Sequence, residues 1–109
     1  MNLGQPPVKL AVATDIAFFT VKEGKLNICL IERIDDNNWA LPGGFIKENE
    51  TLDICARREL KEETDISAGN IQQFKNYSAP QRDHRGRTIS VAYIAIQSSE
   101  KIKIKAGTD

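Results

Sequence analysis

The sequence has few of the residues on which small stapled or metal-knuckle domains depend: two cysteines, one histidine, one tryptophan and one methionine in 109 residues. Cys29 and Cys55 lie far apart in apolar contexts, so neither a disulfide framework nor a cysteine-ligated zinc site is expected, and a reducing compartment fits best. Long hydrophobic runs are missing too. The longest, around Ile16 to Phe19, falls far short of the roughly 20 residues that span a bilayer, and the N-terminal MNLGQPPVK has no signal-peptide core. No membrane partner is expected, and a cytoplasmic location is. An excess of charge of one sign is also absent: fifteen basic residues balance fifteen acidic ones, which gives this segment no global field for nucleic acid. An anionic ligand must therefore be held by a local site. Repeats, low-complexity tracts and Pro/Gly/Ser linkers are lacking, so residues 1–109 read as a single domain.

What is present is a run of strand signals broken by one strong helix. Val8 to Val21 is rich in β-branched and aromatic residues, Glu23-Gly24-Lys25 supplies a turn, and Leu26 to Glu32 continues as the second arm of a hairpin. Asp35 to Asn38 is a loop leading to a short apolar piece, Trp39 to Leu41, which Pro42-Gly43-Gly44 stops. Thr51 to Thr64 lacks Gly and Pro, starts with a capping Thr and carries Asp53 in its first turn. Strand-like runs follow at Ile71 to Tyr77, Thr88 to Gln97 and Lys101 to Lys105. Strands, one helix and further strands make an α+β pattern.

The helix carries charges where apolar residues belong. Advancing about 100° per residue from Leu52 puts Ala56 near 40°, Leu60 near 80° and Cys55 near 300°, which defines the core side. Glu59 falls at roughly 340° and Glu63 at roughly 20°, inside that arc, with Glu62 at roughly 280° on its edge. Asp53, Arg57 and Lys61 fall on the opposite half, as solvated charges should. Carboxylates clustered at i, i+3 and i+4 repel one another, and a hard divalent cation is the economical way to neutralise them. Oxygen-only donors favour Mg²⁺ or Mn²⁺ over zinc. The plainer alternative is an acidic stretch of an ordinary exposed helix.

With its flanks, the segment reads Gly44, five residues, Glu50, seven residues, then Arg58-Glu59-Leu60-Lys61-Glu62-Glu63-Thr64-Asp65-Ile66. This closely resembles the box of the Nudix hydrolases. Every charged position of the box is filled. The one departure is Asp65 where the family has a glycine that follows the helix in a left-handed conformation, which Asp tolerates at modest cost. The resemblance implies an α/β/α sandwich that holds a divalent metal, Mg²⁺ or Mn²⁺, against the diphosphate of a nucleoside diphosphate derivative. It makes Glu59, Glu62 and Glu63 metal ligands, with the Gly44 carbonyl as a further one. Glu50 becomes their supporting partner, and Arg58 the residue that orients a box glutamate. Glu62 or Glu63 is then the base that takes the proton of the attacking water, unless a loop nearer the C-terminus supplies it.

The flanks narrow the substrate. Trp39 to Phe45, and Pro80 to Arg87 running into Ile89 to Tyr93, are similar to the ADP-ribose pyrophosphatase branch and to the Nudix domains of NAD-metabolism regulators. That branch implies cleavage of ADP-ribose to AMP and ribose 5-phosphate. The alternatives are an ADP-ribose-sensing domain of a regulator and a nucleoside triphosphate pyrophosphohydrolase. Arg82, Arg85 and Arg87 are candidates for phosphate or ribose, and Arg33 is a further phosphate candidate. Trp39 reads as packing and His84 as solvated. Family members usually run longer than this chain, so the resemblance implies a sandwich truncated at its C-terminus, without its usual last helix and loop. Apolar surface left exposed in this way favours a homodimer.

Overall fold

The computed structural model describes residue 4, residues 9–80 and residues 86–98. In chain order the elements are β1 (Ala11–Lys22), β2 (Lys25–Ile28), β3 (Ile31–Glu32), β4 (Trp39–Ala40), β5 (Gly43–Phe45), α1 (Leu52–Thr64), β6 (Gln72–Tyr77) and β7 (Thr88–Ser98). The expected strand at Lys101 to Lys105 lies outside the described residues.

β1 is the spine, because alternation lets it serve two faces at once. Thr14, Ile16, Phe18 and Thr20 are buried on one face, which packs against the helix. One edge of β1 pairs with β7 in parallel, from Ala11 opposite Thr88 to Val21 opposite Ser98. The other edge is shared end to end by two antiparallel partners, β5 beside Ala13 to Asp15 and β2 beside Phe19 to Lys22. β6 adds antiparallel to β7 and closes a mixed five-stranded sheet, while β3 and β4 form a separate ribbon. The β1–β2 hairpin turns on Glu23 and Gly24, with φ of 53° and 75°. Two successive positive φ values match the twist of flanking strands, and Gly24 takes the second without a Cβ penalty.

Two expectations are corrected. The second arm of the hairpin does not run unbroken to Glu32: Cys29 donates its N–H to Phe18 O at 2.9 Å, and the chain then leaves the sheet and resumes as β3. Nor does Pro42-Gly43-Gly44 end structure. Ile16 donates to the Pro42 carbonyl at 2.8 Å, and the two glycines begin β5.

α1 forms as its sequence signals predict. The Thr51 hydroxyl accepts from Ile54 N–H at 3.2 Å. Leu52, Ala56 and Leu60 face the core, with Ala56 and Leu60 meeting Ile16, Phe18, Cys29, Ile66, Tyr93 and Ala95. Asp65 stops the helix in the left-handed conformation at φ 64°, its N–H donating to Lys61 O at 2.9 Å. An Asp there carries a backbone penalty that glycine avoids, and the exposed Lys61–Asp65 ion pair at 3.0 Å offsets only part of it. Asp65→Gly is accordingly expected to stabilise by about 0.5 kcal/mol and to raise Tm by roughly 2–4 °C in thermal unfolding. No helix among the described residues is long and apolar enough to cross a membrane.

Candidate active site

The helix is fixed in rotation before its carboxylates are considered. The buried Tyr93 hydroxyl, on β7, donates to Asp53 Oδ1 at 2.6 Å and accepts from Gln73 Nε2 at 3.2 Å. Burial, followed by that carboxylate, holds the Tyr93 hydroxyl above its usual pKa. Arg57 donates to the carbonyls of Ala68 at 2.7 Å and Gly69 at 3.1 Å. Asp53 and Arg57 are therefore not the purely solvated charges expected; they clamp the outer side of α1 to β7 and to the segment after the helix. The opposite side, carrying Glu59 and Glu63, is turned onto β5.

There the carboxylates meet backbone. Glu63 Oε1 accepts from Gly43 N–H at 2.7 Å. The Glu59 carboxylate fills the space that a Cβ on Gly44 would need. Burial pushes the Glu63 carboxyl above its usual pKa; the Gly43 N–H lowers it, while the charges of Glu59, Glu62 and Asp15 raise it. Glu62 differs, since its side chain is 56% exposed.

Arg58 binds what the cluster would otherwise repel. Its guanidinium donates to both Glu50 oxygens, to Glu59, to Glu62 at 3.0 Å and to the Phe45 carbonyl at 3.2 Å. Glu50 also accepts from Lys47 N–H at 2.9 Å. Arg58 first, then that N–H, hold the Glu50 carboxyl down to about 2 from an ordinary 4.5. A depressed folded-state pKa contributes stability that is intact above 4.5 and fades as the pH falls toward 2. An acid titration of Tm should therefore steepen over that window, and Glu50→Gln should flatten it.

Of these groups Glu63, Gly43 and Gly44 border a cleft of about 770 Å³, whose lining also includes Asp15, Arg33 and Ser90. Arg33 thus faces the same space as Glu63, tethered by ion pairs to Asp35 and Asp36 at 3.5 Å each. Arg33 in turn holds the Asp35 carboxyl below its usual pKa. Arg87 is directed elsewhere: its guanidinium donates to Ser78 O at 2.7 Å, and it is not among the residues lining the cleft. Arg82, Arg85 and His84 lie outside the described residues. Trp39 is 54% exposed and does not line the cleft, so it is neither a core residue nor a wall of that space. Sequence reasoning missed Asp15 and Ser90; the signal for Asp15 was an acid inside an otherwise apolar strand.

Among the described residues no three carboxylates close around a common point. The donor chemistry nevertheless suits a hard divalent cation. Glu59 and Glu63 lie against successive residues of β5, and the missing side chain at Gly44 is what gives Glu59 its room.

The NUDIX domain profile matches residues 9–108. The chain belongs to the Nudix family. The Nudix box accordingly occupies the end of β5, the following loop, α1 and its left-handed stop. The chain is 37% identical over 90 residues to an ADPR responsive transcriptional repressor, NtrR, of Acinetobacter baylyi, covering 78% of this chain and 36% of that protein. It is 43% identical over 56 residues to an ADP-ribose pyrophosphatase of Methanocaldococcus jannaschii, covering 51% and 33%. The crystallised Nudix domain of Shewanella oneidensis NrtR, complexed with ADP ribose, superposes with a TM-score of 0.81 at 29% identity, covering 96% of this chain and 74% of that one. The chain spans about a third of the length of the two curated relatives.

Proposed function

We propose that this Nudix chain is a divalent-metal-dependent pyrophosphatase that cleaves ADP-ribose to AMP and ribose 5-phosphate. The observation that carries the reading is the pairing of Glu59 and Glu63 against Gly43 and Gly44 at the border of a cleft that Arg33 also faces. The pyrophosphatase among its relatives supports that substrate. Glu59, Glu62, Glu63 and the Gly44 carbonyl would hold Mg²⁺ or Mn²⁺ in this reading, with Arg58 and Glu50 keeping the glutamates oriented. The bound cation would neutralise the diphosphate and activate a water for attack on phosphorus. Glu63, which lines the cleft where Glu62 does not, would be the base that accepts the proton of the attacking water. Arg33 would bind a phosphate oxygen, with Arg82 and Arg85 as further substrate candidates, while Arg87, bonded to Ser78 O, is left out of the contact.

A cytoplasmic location fits the free cysteines, Cys29 and Cys55. The apolar patch formed by Phe19, Leu26 and Ile96 on the outer sheet face supports a homodimer. Balanced charge argues against nucleic-acid binding by this segment.

A second reading rests on the likeness to an ADPR responsive repressor, and makes the chain an ADP-ribose sensor. The deciding assay is AMP release from ADP-ribose with Mg²⁺ or Mn²⁺, against chelator and against a nucleoside triphosphate. Metal-dependent AMP release is the expected result. Binding of ADP-ribose without cleavage would replace the enzyme by the sensor, and preference for the triphosphate would replace the substrate.

A further inference from the structure

α1 is held to β7 by a hydrogen bond that packing alone does not require. The helix packs most closely on β5 and β1, and β7 reaches it through the length of the Tyr93 side chain. Ile16 pairs with Tyr93 and Tyr93 with Gln73, so the Tyr93 ring lies on the helix-facing side of the sheet, 1% exposed among Ile16, Phe18, Ala56 and Leu60. Its hydroxyl extends past that cluster to Asp53 in the first turn of α1, at 2.6 Å. Gln73 Nε2 donates to the hydroxyl oxygen at 3.2 Å, which leaves the hydroxyl proton for Asp53. A phenylalanine would fill the same volume in the core. The hydroxyl is therefore surplus to packing and acts on the place of Asp53.

What the bond controls is the roll of α1 about its axis. Asp53 stands at about 100° on the helical wheel, just past Leu60 at the edge of the apolar arc, while Glu59 and Glu63 stand at roughly 340° and 20° within it. The apolar contacts of Leu52, Ala56 and Leu60 are non-directional and oppose a small roll weakly. A roll of about 10° moves a side-chain end at a radius of ~6 Å by about 1 Å. That would stretch the Tyr93–Asp53 bond from 2.6 Å to about 3.6 Å, where it no longer holds. The same roll would carry Glu59 and Glu63 about 1 Å from their places against Gly44 and Gly43, a misplacement that costs up to about 10²-fold in rate. Arg57, one turn after Asp53, holds the same flank through the carbonyls of Ala68 and Gly69 and limits the roll when one tether is lost.

We infer that Tyr93, acting through Asp53, is a positioning residue that sets the angular place of Glu59 and Glu63 for the divalent cation. The inference rests on the metal-dependent reading of the cleft. Tyr93 is not among the residues lining that cleft, so its influence passes through the roll of α1.

The test compares Tyr93→Phe, Asp53→Ala, the two combined, Asp53→Asn and Ile16→Val in calorimetric titration with Mn²⁺ in the absence of substrate, and in AMP release from ADP-ribose at saturating Mn²⁺. Tyr93→Phe and Asp53→Ala are each expected to weaken Mn²⁺ binding about fivefold and to lower kcat about tenfold, with KM for ADP-ribose within about twofold of the parent. The combined variant should be no worse than either alone, because all three lose one bond. Asp53→Asn keeps an acceptor oxygen and should restore near-parent values. Ile16→Val trims the core beside Tyr93 but keeps the tether; it should lower Tm by roughly 5 °C with Mn²⁺ affinity and kcat unchanged. Parent values in both Tyr93→Phe and Asp53→Ala overturn the proposal, and so does an equal fall in Ile16→Val, which would make the effect one of general stability. A loss confined to KM overturns it as well, since it would assign Tyr93 to substrate binding. If Tyr93→Phe fails to fold, Asp53→Ala at an exposed helix position reads the same bond from the other end. Weaker Mn²⁺ binding in both variants of a chain that cleaves no diphosphate would keep the positioning role and remove the pyrophosphatase reading. A parent chain that binds no Mn²⁺ would remove both.

Discussion

Glu59→Gln and Glu63→Gln are each expected to reduce metal-dependent release of AMP from ADP-ribose by at least about 10³-fold, with the fold intact. Glutamine keeps the volume and one acceptor oxygen. At position 63 it can still accept from Gly43 N–H, and it removes a charge that burial and the neighbouring carboxylates of Glu59, Glu62 and Asp15 all disfavour. The thermal midpoint of Glu63→Gln at pH 7 without added metal should therefore equal or exceed that of the parent. At position 59 the substitution gives up a charged bond to Arg58, which still has Glu50 and Glu62, so the fold loses little. Loss of turnover with unchanged unfolding would place the effect in the chemistry. Parent-rate turnover in both variants would remove the metal assignment.

The elements that local chemistry specifies were legible in the sequence. Thr51, the apolar arc of Leu52, Ala56 and Leu60, and Asp65 in the place of a terminal glycine define α1 without reference to anything distant. The β1–β2 hairpin was legible for the same reason, through Glu23-Gly24. The angular position of Glu59 and Glu63 exposed the candidate site before any fold was known, because a carboxylate in an apolar arc needs an explanation. What could not be read depends on partners remote in sequence. The parallel pairing of β1 with β7 joins Ala11 to Thr88, and no periodicity in either strand announces its neighbour. Asp53 looked like a solvated first-turn acid until Tyr93, forty positions away, came beneath it. Asp15 likewise acquires meaning only when β5 and β7 set it beside Gly43 and Ala92. Arg58 was legible as a partner of a box glutamate, but its simultaneous hold on Glu50 and the Phe45 carbonyl needs the loop before α1 to fold back.

Gly43 and Gly44, read from the sequence as a stop, should give opposite results when replaced by alanine. A Cβ at Gly43 would overlap the carbonyl oxygen of Thr14, a backbone atom of the central strand, and would also crowd Cα of Asp15 at 3.0 Å. Backbone in the middle of a five-stranded sheet has little freedom to move. β5 would have to separate from β1, taking with it the N–H that holds Glu63 and the Pro42 carbonyl that accepts from Ile16. Gly43→Ala is thus expected to destabilise by about 3 kcal/mol or more and to lower Tm by well over 10 °C. At Gly44 the overlapping atoms belong to the end of the Glu59 side chain, which can rotate away. Gly44→Ala should consequently fold with a Tm close to that of the parent while losing most of its metal-dependent activity, since the rotation removes Glu59 from its place against β5. Thermal unfolding and AMP release measured on the same two proteins separate the outcomes. If Gly44→Ala kept parent activity, the position of Glu59 against Gly44 would have no bearing on the reaction, whatever the fate of Gly43→Ala.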